Sequence, residues 1–521
     1  MKSGSYKRRA ARPRGVRQFG SAADVGGLFF PRSAELGLAV EDTVSPRVLR
    51  KITYAGNRAA SFAEASDALF ELAEVSISAE RVRRACGHVG QDLIDEQQQL
   101  QTAYQAKPLP EQIAGKPGDV TAPEIACVMA DGGRYQRLDR PHGEKKCDEK
   151  KCDETNRGAS PCRSARKGKH WKESRIALLA TMSGAQHEID PQPELPQALR
   201  YAAAAEKLGE IGKTGRKLGD SADDCEEDEC LVGAEPVANN EPATREQGRF
   251  TRESAPLEQR PDSSTPLGEL SVARAIAARE MAATEVDTHG VVGPKLKERS
   301  VVASRSNWCE FGPLVASQAW YRGFAAATRK VFVSDGSATI EKLQRQHFSH
   351  FTSVLDLLHT LAYALAAARA VSRDEAAAEQ QYDAWARLIW SGQVAEVIDE
   401  LVGHGEQLGL PPPGDHENDP REVIRRSRVF FENHRSRMDY PSYRRQGFPL
   451  TSSLMESTVK QVSRRVKGSE KFWSSPGAEA MLRLRAASLS EDKPLHRYFD
   501  RRSCHARGTR AYRPKPLAMN N

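Results

Sequence analysis

No run of about 18 uninterrupted apolar residues occurs in this 521-residue chain, and no apolar stretch follows the basic residues at its amino terminus. These absences argue against a membrane span and a secretory leader, so a soluble cytoplasmic protein is expected. Cysteine is scarce as well: nine residues, irregularly spaced, cannot staple a chain of this length and suit a reducing compartment. Neither charge is in large excess, since 77 Lys and Arg stand against 70 Asp and Glu, a net +7.

The distribution of charge is more telling than its total. Residues 1–19 carry Lys2, Lys7, Arg8, Arg9, Arg12, Arg14 and Arg17 with no acid, and Arg421 to Lys471 is again rich in arginine. Such clusters attract a polyanion whatever the net charge. Between them lies a polar stretch, 186–295, containing the acidic block SADDCEEDEC. Its composition cannot bury enough apolar surface to offset chain entropy, so it reads as a disordered or loosely helical insertion.

At roughly 150 residues per domain the chain has room for two to four. Residues 1–44 read as a basic tail. Residues 45–106 read as helices, with Ser61 and Glu64 forming a capping box and Ser78 capping the next helix. Two helices joined by VSIS suggest a helix-turn-helix-like unit whose Arg81, Arg83 and Arg84 face phosphates; the plainer reading is a packing module. Lys107 to Pro123 is a linker. Residues 124–185 hold two expected strands, Ile125–Met129 and Arg175–Met182. Residues 316–373 hold a short helix, the strand Val331–Val333, and a strand end with a long helix. Residues 374–446 are helical, 447–490 contain a helix headed by acid, and 491–521 form a second basic tail.

Three acids stand out. Asp131 in VMADGGRY and Asp335 in VFVSDGSATIEKL each follow an apolar strand, and Glu456 in SSLMESTVKQVSRRVKG opens a helix. Each has a plain alternative: Asp-Gly is ordinary turn chemistry, and Ser453 with Glu456 makes a capping box. Taken together they are the oxygen ligands that Mg²⁺ or Mn²⁺ prefers, and two such ions can clamp the oxygens of a phosphodiester. Lys460, Ser463 and Lys467 share the helical face of Glu456, a row along which a phosphate backbone can lie.

In this order, VMADGGRY, HWKESRIALLATM, VFVSDG, LDLLHTLAYALAAARA and MDYPSYRRQGFPLTSSLMESTVKQVSRRVKGSEKFW resemble the DDE transposases of bacterial insertion sequences of the ISKra type, kin of the Mutator-like group. The resemblance implies an α/β fold: a ribonuclease-H-like catalytic core with a helical insertion domain, preceded by a mainly helical DNA-binding region. It makes Asp131, Asp335 and Glu456 the catalytic metal ligands, and double-stranded DNA (transposon ends and target) the partner of a homo-oligomer associated with the nucleoid. Asp356 and His359 look like the acid and histidine that follow the second Asp in these families, here as auxiliary residues. Lys460, Arg464, Arg465, Lys467, Lys471 and Trp473 are expected at DNA, with Trp473 stacking on an unpaired base or packing in the core. Trp385 and Trp390 lie where distant relatives hold a flipped base.

The chain also departs from the pattern. The 186–295 stretch and the doubled KKCDE are extra, and no paired-cysteine finger precedes FFPRSAELGL. Cys147, Cys152 and Cys162 invite a zinc reading, but repeat expansion in a loop is simpler than a site without two cysteine pairs. Two rival functions remain: a metal nuclease without strand transfer, and a domesticated, non-catalytic DNA-binding protein.

Overall fold

A computed structural model describes residues 44–137, 171–200, 290–411, 418–468 and 470–505. The amino-terminal basic tail, the acidic block and Cys147, Cys152 and Cys162 lie outside them. No helix among the described residues is long and apolar enough to cross a membrane.

The fold is mixed α/β, built on one mixed sheet of β1 (Ile125–Arg137), β2 (Trp171–Ser183), β3 (Lys295–Ser304), β4 (Arg329–Ser334), β5 (Thr352–Leu355) and β6 (Phe472–Trp473). The spatial order is β3-β2-β1-β4-β5. Pairing is antiparallel from β3 through β2 to β1, and parallel from β1 through β4 to β5. The two residues of β6 pair in parallel with Gln136 and Arg137, beyond the point where β4 leaves β1.

The apolar run that opens β1 is continuous because both of its faces are covered. Ile125, Cys127 and Met129 join one core with Val331 and Val333, while Ala126, Val128 and Ala130 join another with Phe332. The second face is covered by α5 (Trp308–Trp320) and α6 (Ala338–His347). On the first face lie α1 (Pro46–Arg58), α2 (Phe62–Ala73), α3 (Ala79–Gln105), α7 (Leu357–Val371), α12 (Ser453–Val466) and α13 (Ser475–Leu489). Between α7 and α12 runs a helical section: α8 (Glu375–Trp390), α9 (Val394–Leu408), α10 (Pro420–His434) and α11 (Tyr440–Arg445). Among the described residues the remaining α-helices are α4 (Leu109–Ala114) and α14 (Pro494–His505).

Several expectations need correction. Residues 45–106 are helical and packed against the rest of the fold. The 27-residue α3 lies against α13, and at Gly90 an added Cβ would come within 2.7 Å of Ala480 Cβ. Arg465 and Arg485 donate to the carbonyls of Gly56 and Asn57 at the end of α1. Arg83 and Arg84 pair with Glu80 on the surface. Ser61 and Ser78 cap α2 and α3 as expected.

The 186–295 stretch is ordered at both margins, because its ends are tied to the core. Asp190 receives Arg444, Leu195 and Leu199 are buried, and Gln192 bonds by its side chain to Gly290 O (2.7 Å) and Val292 N (2.8 Å). Among the described residues, β3 begins at Lys295, well before 316. The first half of β3, KLKER, is half-solvated edge strand and carries no apolar signal. The carboxyl-terminal tail likewise begins as α14, whose Tyr498 and Phe499 are buried.

Candidate active site

Asp131 does not end its strand. β1 runs through Asp131-Gly132-Gly133 because β2 carries the ladder past it, with Asp131 opposite Ile176, Gly132 opposite Arg175 and Gly133 opposite Ser174. The glycines serve close approach rather than a turn. A Cβ on Gly133 would lie 2.7 Å from Ser174 Oγ, so its absence leaves room for that side chain of β2, while Ser463 of α12 stands at ordinary contact distance, 3.7 Å. Asp131 has the parity of Ile125, Cys127 and Met129, and its partner Ile176 belongs to the same core. It therefore stands on the face that α12 covers.

Asp335 directly follows β4. The parallel register is last paired at Met129 with Val333, and Asp131 and Asp335 each stand two residues beyond it, at the same end of this strand pair. Asp335 accepts from Ser337 N (2.9 Å) at the start of α6.

Glu456 sits in the first turn of α12. The expected capping box is absent. The helix starts after Ser452, Ser453 Oγ bonds to Thr451, and Ser452 Oγ makes no cap but donates to Asp356 (2.8 Å). Burial, then the charge of Asp356, raises the pKa of Glu456 against the pull of His359 and Lys460. Lys460 Nζ stands 3.8 Å from its carboxylate.

Asp356 is fully buried and heads α7. Its carboxylate accepts from Leu358 N (3.2 Å), Ser452 N (3.2 Å), Ser452 Oγ and the His359 ring nitrogen Nδ1. Burial alone would raise its pKa, but the His359 bond and charge, with Ser452 and Leu358, hold it low. Burial would lower that of His359. The bond and charge of Asp356, joined by the charges of Asp335 and Glu456, carry it up to about 9 instead. Asp335 and Glu456 thus lie on opposite chain segments yet within electrostatic reach of one imidazolium.

A second group backs Asp335 from the helical section. Arg437 bonds to Ser334 Oγ (3.3 Å) and to Glu341, and His434 Nδ1 stands 3.0 Å from Glu341. Burial, with Arg437 beside it, lowers His434 to about 4. The sequence signalled Arg437 only as one arginine in a basic stretch. Ser452 was masked by its neighbour, which fitted the capping pattern better.

The expected DNA-facing residues divide. Lys460, Arg464 and Lys467 are exposed. Lys471 Nζ donates to Arg464 O (2.9 Å). Arg465 is a correction: it is 3% exposed, its guanidinium 4.4 Å from the Phe62 ring centroid and 5.2 Å from that of the half-buried Trp473. Trp473 Nε1 donates to Val466 O (2.9 Å). Helical phase explains the difference, since nine residues at 3.6 per turn put Arg465 half a turn from Glu456. Trp385 and Trp390 are also core residues, bonded to Glu400 (2.7 Å) and Gln192 O (3.0 Å).

The chain matches no family model and no curated protein. Among the described residues, no three His, Cys, Asp or Glu side chains stand close enough to hold a metal ion as they are. The donor chemistry nevertheless suits a hard cation: three carboxylates from β1, the end of β4 and α12, one of them with a raised pKa that a nearby cation would bring down. Holding an ion takes a rearrangement of these side chains.

Proposed function

We propose that the protein is a DDE-type DNA transposase of the ISKra kind, with a ribonuclease-H-like core, cleaving and joining DNA strands as a homo-oligomer in the cytoplasm at the nucleoid. The observation that carries this reading is that Asp131 and Asp335 each stand two residues past the last paired position of the parallel strands β1 and β4, with the helix of Glu456 over that face of β1. The sheet order and its mixed strand directions support the ribonuclease-H-like reading.

Asp131, Asp335 and Glu456 would hold Mg²⁺ or Mn²⁺. The bound cations would activate the attacking water or 3′ hydroxyl and neutralise charge on the leaving oxygen. The chain's own residues do the rest. Lys460 and Lys467, on the Glu456 face of α12, draw in the DNA backbone. His359, held cationic by Asp356, offsets the negative charge of the carboxylates and of an approaching phosphate.

The test is cleavage and joining of labelled duplex ends in Mg²⁺ by wild type, Asp131→Asn, Asp335→Asn and Glu456→Gln. We expect each variant to fold and bind DNA with cleavage reduced more than about 100-fold. Near wild-type cleavage by any variant removes its residue from the metal set. Cleavage by wild type without joined product favours the nuclease, and DNA binding without cleavage favours the domesticated protein.

A further inference from the structure

We infer that Ser452 and Asp356 form a latch that sets the position of Glu456 relative to Asp335, making both positioning residues for the proposed reaction. The inference rests on the metal reading for its consequence and on the hydrogen bonds alone for its geometry.

Residues 356 and 357 join two separate pieces of the site. Asp356 N donates to Ser334 O (2.8 Å), the residue just before Asp335, and Leu357 N donates to Leu450 O (2.9 Å), in the segment leading to Glu456. The Asp356 carboxylate then takes both the amide and the hydroxyl of Ser452, the residue from which α12 starts. A serine at this position normally caps its own helix. Here the hydroxyl is committed to another element and α12 begins without a side-chain cap. A local rule broken at a fully buried, fully bonded carboxylate beside the site points to a positional demand on the helix. Thr360 Oγ1 completes the joint, bonding to Asp356 O (2.9 Å) and to Tyr440 OH (2.9 Å). Neither bond set reaches a substrate, so the latch acts only through where it holds Glu456 and His359.

The experiment compares wild type, Ser452→Ala and Ser452→Thr by three measurements: amide hydrogen exchange over residues 453–458, the Mg²⁺ concentration for half-maximal thermal shift, and DNA affinity. The latch expects faster exchange at 453–458 and about tenfold more Mg²⁺ needed in Ser452→Ala, the loss typical of removing a support behind a metal ligand. DNA affinity should be unchanged, and Ser452→Thr should restore both readouts. Wild-type exchange and Mg²⁺ requirement in Ser452→Ala overturn the latch, as does failure of Ser452→Thr to rescue. A wild-type protein with no Mg²⁺ shift defeats the metal reading alone: exchange at 453–458 then still decides the latch, faster in Ser452→Ala upholding it and unchanged overturning it.

Discussion

The two ends of α12 use charge in opposite ways. At its start, Glu456 is half-buried within electrostatic reach of Asp356 and His359, and its helix is pinned by Asp356 through Ser452. Near its end, Arg465 turns inward and lies against Phe62, tying the amino-terminal helices to the sheet. In sequence the two residues belong to one charged motif. What separates them is phase around the helix, so one charge faces the proposed site while the other has become packing.

The largest expected effect tests the first end. Glu456→Gln should reduce strand cleavage by more than about 100-fold while changing stability by less than about 1 kcal/mol, measured by gel assay and denaturant unfolding. The second end should invert that pattern. Arg465→Ala removes a buried stem, a ring contact and a hydrogen bond, and should cost about 3 kcal/mol in urea unfolding. Its salt dependence of DNA binding should match wild type; a reduced slope would return Arg465 to the nucleic-acid face.

Gly90→Ala probes the same docking from α3. A Cβ there meets the backbone of Ala480, so unfolding should become easier by about 1–3 kcal/mol. Stability equal to wild type would mean that the amino-terminal helices are only loosely attached.

Titration of His359 sharpens the contrast at the first end. Its folded pKa, about 9, lies above its ordinary value of 6.5. The stabilisation it gives is therefore fully present below pH 6.5 and lost as pH rises through 9. In Asp356→Asn the imidazole should titrate closer to its ordinary value, followed by NMR, and the loss of stability on raising the pH through that window should largely disappear. An unmoved titration would take the proton away from Asp356's control. The smallest effect is expected of Lys467→Ala: stability within about 0.5 kcal/mol of wild type, and a salt slope of DNA binding lower by about one ion.

Much of the sheet was legible, because apolar runs such as Ile125–Met129 and Val331–Val333 have few other uses. The course of β1 through Gly132-Gly133 was not, since an Asp-Gly-Gly sequence reads as a turn until a partner strand is known. β3 escaped notice because only its second half is buried. Within the site, the pairing of Asp356 with His359 followed from spacing and is present as a hydrogen bond. Ser452 could not be told from Ser453 by pattern alone; only the position of α7 selects it. Arg465 was misjudged because buried arginine is rare, though its offset from Glu456 carried the warning.

Gln192 has a consequence for how two margins of the described chain are held. Its side chain closes on Gly290 and Val292, its amide donates to Asp190 (3.0 Å), and its carbonyl receives Trp390. The two points at which the described chain breaks off and returns, Arg200 and Gly290, are therefore tied to the core through one side chain close to both. A single change at Gln192 loosens the departure and the return together, so these two margins stand or fall as one.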